Sequence, residues 1–212
     1  LAARRYFEKA LALYPDDWQA HHRYGVLLQN DGDLPEALAH ADRAIALRPA
    51  AEFAYVTAAD ALLWMGRPKE AEQRIRAGLN EVPNSNVLRS LLAVATWDEG
   101  DRATAAATLK DLAGAWPPDH SNTVLLDGLG QFLKSDVAGG LARYEAFREK
   151  VEATDLLTKK HNERRVLSVN LYFMARLAAR LGNRPEAERL LDLADRLHPG
   201  KRQVAKADPA FR

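Results

Sequence analysis

Four prolines, Pro15, Pro49, Pro83 and Pro117, stand 34 residues apart in this 212-residue chain, and a spacing kept that strictly restricts the fold to one that repeats. Gly32, Gly66 and Gly100 keep the same interval, and Ala37, Ala71 and Ala105 each follow their glycine by five residues. Apolar residues recur with helical period between each proline and the next glycine, and again from that glycine to the following proline. Each interval therefore holds two helices, and the unit is a helical hairpin. A glycine can end the first helix in a left-handed conformation, and Asp33, Asp101 and Asp136 are placed to cap the second. Alanine one turn further on lets the two backbones approach, where a larger side chain would overpack the crossing by about 1–3 kcal/mol. Proline then stops the second helix.

These residues resemble the tetratricopeptide repeat. The first full unit carries Tyr24-Gly25, Gly32-Asp33, Glu36-Ala37, Ala44 and Pro49, and the next carries Ala59, Gly66, Glu70-Ala71, Gly78 and Pro83. Ala93, Gly100-Asp101, Ala105 and Pro117 follow, and Ala175, Gly182-Asn183, Glu186-Ala187, Ala194 and Pro199 close the series. The resemblance implies an all-α fold of the α-α superhelix class, a solenoid of antiparallel helix hairpins whose first helices line a concave surface. Its expected division is one solenoid over 1–199, with 1–16 the second helix of a truncated unit and 17–51, 52–85 and 86–119 regular units. A degenerate unit takes 120–152, a unit with a lengthened first helix takes 153–199, and 200–212 is a polar tail that frays or folds back. In the degenerate unit Ser135-Asp136 and Gly140 replace Gly-Asp and Ala, one residue out of step. From Gly100 to Gly182 is 82 residues, two periods and fourteen more. Fourteen residues make about four helical turns, so a longer helix ahead of Gly182 keeps its buried face in phase.

If the first helices line the concave surface, one row on each faces a partner. The row begins polar, with Gln19, His22 and Val26, and continues as Phe53, Val56, Asp60 and Leu63 with Trp64 beside it. Val87, Ser90, Val94 and Trp97 with Asp98 come next, then Phe132, and last Tyr172 and Arg176. Large exposed apolar patches mark interaction sites, so an aromatic row reads as a groove for a peptide segment or partner protein. The competing reading is that curvature buries these residues between adjacent hairpins. Some members of the family grip chaperone C-termini with a clamp of Lys, Asn and Arg. The corresponding row here shows His22, Val26, Asp60, Ser90 and Val94, so that cationic set is missing.

Thirty Lys and Arg against 29 Asp and Glu leave a formal charge of +1, with no field to draw the chain onto nucleic acid or an anionic membrane. No apolar run reaches the roughly 20 residues that cross a bilayer. Cysteine is absent, which removes disulfides and thiolate chemistry but fits either redox compartment. No leader is visible, from which a cytoplasmic chain is expected, while Leu1 opening in mid-pattern reads as a piece cut from a larger, bacterial-type protein. No HExxH-type spacing joins the six histidines, and Gly128-Leu129-Gly130 lacks the strand and third glycine of a nucleotide loop. Lys159, Lys160, Arg164 and Arg165, interleaved with Glu163, read as a solvated face. No metal, cofactor or catalytic residue is expected. The function expected is a protein-interaction scaffold; the alternatives are a regulatory or targeting part of a larger enzyme or transcription regulator, and a self-assembly module that forms homo-oligomers.

Overall fold

The computed structural model describes residues 2–154 and 160–212. Among the described residues the chain is all-helical, with no strand. It divides into two compact units, 1–101 and 102–212, and the division falls inside the third repeat, between its two helices.

The first unit holds α1 (Ala2–Leu13), α2 (Trp18–Asp31), α3 (Leu34–Leu47), α4 (Glu52–Trp64), α5 (Pro68–Glu81) and α6 (Asn86–Glu99). Helix α2 pairs with α3 and α4 with α5, while α4 also packs on α2, α3 and α6. Asp17 begins α2 by accepting from the Gln19 and Ala20 amides, and Ser85 begins α6 by accepting from Leu88. Pro35 and Pro68 stand in the first turns of α3 and α5, where a missing N–H is harmless. Ala37, Ala41, Ala44 and Ala71 are fully buried at the crossings. A Cβ on Gly25 would lie 3.1 Å from the Ala37 carbonyl oxygen, so the backbones of α2 and α3 are in near contact there.

The second unit holds α7 (Arg102–Asp111), α8 (Ser121–Leu133), α9 (Val137–Glu152), α10 (His161–Arg180), α11 (Arg184–Leu197), α12 (Lys201–Ala207) and a closing 3-10 turn, Pro209–Phe211. Helix α8 pairs with α9 and α10 with α11. Helix α10 has 20 residues; residues 155–159, which fall in the expected extra chain and include Lys159, lie outside the described residues. The tail beyond Pro199 is folded, with Lys201, Val204 and Asp208 buried.

One backbone bond closes all five turns. An amide two or three places beyond the first helix donates to a carbonyl five residues earlier: Asp33 to Leu28, Arg67 to Leu62, Asp101 to Thr96, Asp136 to Gln131 and Asn183 to Ala178, each at 2.9–3.0 Å. The residue between is left-handed each time, a glycine in four turns and Ser135, at φ 64°, in the degenerate one. Side-chain capping is less uniform than expected. Asp136 and Asn183 accept from the amides of Gly139 and Glu186, whereas Asp33 makes no capping bond and lies 3.5 Å from Arg4 instead.

In the degenerate hairpin, glycine takes over the role of alanine. A Cβ on Gly140 would fall 2.3 Å from the Phe132 ring and 2.9 Å from the Gly128 carbonyl oxygen, and one on Gly128 would enter the Tyr144 ring. Helices α8 and α9 thus meet at backbone distance, with Tyr144 laid over Gly128 and its hydroxyl donating to the Leu125 carbonyl at 2.9 Å. The Gly128-Leu129-Gly130 stretch lies inside α8.

Candidate partner-binding surface

In the first unit the expected row divides along its length. At the beginnings of α2, α4 and α6 it reaches the surface: Gln19 is exposed, and His22, Val26, Val56 and Val87 are half-buried. Phe53 is 54% exposed. Further along, the row sinks. Asp60, Leu63, Ser90 and Val94 are buried, Trp64 is 0% and Trp97 5% exposed, and Asp98 is half-buried. The cause is the neighbourhood of α4. A helix packed on four others keeps little free surface beyond its first turns, and Ala54, Ala58, Ala59 and Ala61 let those neighbours close in. Trp64, the last residue of α4, is fully enclosed.

The surface end of the row borders a cleft of about 430 Å³ lined by Trp18, Gln19, His22, Arg48, Glu52 and Phe53 among others. The imidazole of His22 stacks near the Phe53 ring, centroids 6.5 Å apart at 27°. Across the cleft the Arg48 guanidinium sits 4.6 Å from the centre of the Trp18 ring, an attractive cation–π arrangement. The Ser85 hydroxyl donates to the Glu52 carboxylate, which fixes the start of α4 against the start of α6. The rim of the cleft thus mixes aromatic, cationic and amide groups. Trp18, Arg48 and Glu52 escaped the sequence reading. Trp18 was within reach, being four residues before His22 and so on the same helix face; Arg48 and Glu52 come from a loop and a helix start, where periodicity is silent.

In the second unit none of the predicted row is open. Phe132 is buried edge-on to Tyr144, ring centroids 5.6 Å apart. Tyr172 and Arg176 are buried and both donate to Asp208 of the folded tail. Another cavity, of about 670 Å³, lies among α7, α8 and α9 and is bounded by Leu112, Trp116, Asp127, Gln131, Lys134 and Arg143. Arg143 is engaged there with the Pro118 carbonyl at 3.0 Å and Asp127 at 3.3 Å.

No metal-binding spacing joins His21 to His40, yet the α2–α3 hairpin brings their Nδ1 atoms to 2.8 Å, and His21 Nε2 is 2.9 Å from the Pro15 carbonyl oxygen. That carbonyl can only accept, so neutral His21 carries its proton on Nε2 and His40 donates from Nδ1. Burial, and then the neighbouring His21, hold His40 below its ordinary pKa. Among the described residues no three His, Cys, Asp or Glu side chains gather as metal ligands, and no helix is long and apolar enough to cross a membrane.

Three sequence profiles of the tetratricopeptide repeat match, over residues 28–95, over 6–39, and over 86–110 with 171–192. No curated protein matches the chain. Among solved structures, YrrB, described as a tetratricopeptide-repeat protein with an unusual peptide-binding site, is 20% identical, with 95% of this chain and 96% of that one covered and a TM-score of 0.53. MamA of Desulfovibrio magneticus is also 20% identical, with 73% and 86% covered and a TM-score of 0.57. A tetratricopeptide-repeat protein from Parabacteroides merdae is 14% identical, with 99% and 77% covered and a TM-score of 0.63. Identities this low speak for the fold alone. With one turn bond recurring five times, and with repeat profiles matching from residue 6 to 110 and again from 171 to 192, the chain belongs to the tetratricopeptide-repeat proteins.

Proposed function

We propose that this chain is a non-catalytic protein-interaction scaffold whose first unit receives an extended segment of a partner polypeptide across the starts of α2, α4 and α6. The observation that carries this reading is Phe53. It is a large apolar side chain left 54% exposed beside a cleft, on a helix whose other apolar side chains are mostly buried. An aromatic side chain buries about 150–250 Å² when fully covered. At about 25 cal/mol per Å², covering the open half of Phe53 contributes roughly 2–3 kcal/mol gross, before association costs.

An apolar side chain of the partner would lie on Phe53, Val56 and Val87, and its main chain would find hydrogen-bonding groups on Gln19 and His22. Asp60, Leu63, Trp64, Ser90, Val94, Trp97 and Asp98 serve this reading from within, by holding the helices that present the rim. The likeness to YrrB supports the class of activity, since that protein is described as having a peptide-binding site.

The test is capture from a lysate on the immobilised chain, with His22→Ala/Phe53→Ala as the control. The variant should keep its helical circular dichroism and lose the captured polypeptide. Capture of the same polypeptide at the same level would dismiss this surface.

A second reading, self-assembly, is favoured by α1 and the residue after it, where Tyr6, Leu13 and Tyr14 are all exposed. Light scattering on dilution, with Tyr6→Ser/Leu13→Ser alongside, should show a mass that falls with concentration only in the unsubstituted chain. A constant mass for both would end that reading.

A further inference from the structure

Most arginines of the first unit are matched to a carboxylate. Arg4 holds Asp31, Arg43 holds Asp16, Arg67 holds Glu70, Arg74 holds Asp42 and Arg76 holds Glu72, at 2.5–3.0 Å. Arg5, Arg23, Arg48 and Arg89 make no such pair among the described residues. Arg89 is turned to the Pro83 carbonyl at 2.7 Å, whereas Arg23 and Arg48 both line the cleft beside Phe53. The one acidic side chain that lines it, Glu52, accepts from the Ser85 hydroxyl. Asp17, just ahead of Trp18, is turned to the amides of Gln19 and Ala20. The cleft therefore carries two cations against one carboxylate, on a chain whose charges otherwise nearly cancel.

Arg48 is also held without being neutralised. Trp18 packs on Ala44, Ala51 and Ala54, and the Arg48 guanidinium lies over its ring. A ring contact restrains a guanidinium but takes none of its in-plane N–H donors, which stay available to a planar acceptor. Restraining a long side chain before a ligand arrives lowers the entropy lost on binding. Beside it, Ala50, Ala51, Ala54 and the Phe53 ring give the cleft an apolar wall.

The geometry points to an acidic polypeptide segment as the occupant of this cleft. An aspartate or glutamate side chain within the segment meets the Arg48 fork, with Arg23 as the second positive charge, and a neighbouring apolar side chain covers Phe53. A basic segment would meet two uncompensated like charges and be turned away. This inference rests on the reading of the Phe53 surface as a peptide cleft, and adds to it the charge of what enters.

The experiment selects from a random library of peptides blocked at both ends, passed over the immobilised chain, and then measures the recovered peptides by fluorescence anisotropy. Recovered sequences should be enriched in aspartate and glutamate next to an apolar residue. The tightest should weaken about tenfold or more on Arg48→Gln, as expected for the loss of a charge-assisted bond. Replacing the peptide's acid by its amide should cost as much, and no more when combined with Arg48→Gln. Arg48→Lys, which keeps the charge and loses the fork, should fall between, and Arg43→Gln should change nothing. Arg48 is exposed, so its variants should keep their helical circular dichroism. Recovery of basic or uncharged sequences, no recovery at all, or equal binding by Arg48→Gln would each overturn the acidic occupant. Phe53→Ala tells this failure from that of the underlying reading. Uncharged peptides lost on Phe53→Ala would leave the surface standing without its acidic preference, and peptides indifferent to both Phe53→Ala and Arg48→Gln would remove both.

Discussion

Between Asp16 and Asp101, alanines together with Gly25 and Gly78 occupy the helix crossings and the described ion pairs lie outside, as with Arg43 and Asp16 at 2.5 Å or Arg74 and Asp42 at 3.0 Å. Between Ser121 and Asp208, glycine and aromatic rings make the α8–α9 crossing, and charge goes inside. Arg148, 6% exposed, joins α9 to α11 through Glu186 at 2.8 Å and reaches Glu152 at 2.5 Å. Arg176 and Asp208 do the same for α10 and the tail. Where the 34-residue interval is kept, small side chains at fixed positions suffice. Where it slips, the neighbouring helices meet at new offsets, and long polar side chains span what methyl groups no longer fill.

Four substitutions probe this contrast. Trp64→Ala empties the middle of the first unit's packing and should lower stability by about 3–5 kcal/mol, measured by denaturant unfolding. A loss below about 1 kcal/mol would mean that α4 is not the closed centre described above. Arg148→Ala leaves the buried Glu186 with only the exposed Arg189, 3.6 Å away, and should remove about 3 kcal/mol, whereas Arg43→Ala should change stability by less than about 1 kcal/mol. Equal effects for the two arginines would break the distinction between the units. Gly140→Ala forces a methyl group into the Phe132 ring and should destabilise by about 1–3 kcal/mol; hydrogen exchange would place the loss in α8 and α9.

The smallest effect concerns His40, faced by His21 Nδ1 and the Tyr24 ring. Its folded pKa is depressed, so the unfolded chain takes up the proton first. Its contribution is complete above the ordinary value of about 6.5 and declines as pH falls below it. His40→Gln should flatten that part of the stability–pH curve between pH 7 and 5, and an unchanged slope would remove His40 from the account.

Much of this architecture was legible because its determinants are local. A turn needs a left-handed residue and an alanine crossing needs a small side chain, and both recur at countable intervals. Even Ser135 could be aligned to its turn, since Asp136 follows it. What covers a residue was not legible. Helix α4 is apolar on nearly every side, so no wheel could say that Phe53 would stay open while Trp64 closed. Pairs such as His21 with His40 and Asp208 with Arg176 depend on which helices become neighbours and on where the tail turns back. The same limit hid the Trp18 and Arg48 side of the cleft, which joins a helix start to a loop.

The repeated turn bond also sets a timetable. Each hairpin closes through partners five residues apart, and contacts that near in the chain form early and fast. The bonds from Arg148 to Glu186 and from Arg176 to Asp208 span 38 and 32 residues. As the polypeptide leaves the ribosome, the first unit can therefore settle hairpin by hairpin, while Arg148 and Arg176 find their carboxylate partners only once Glu186 and Asp208 have been made.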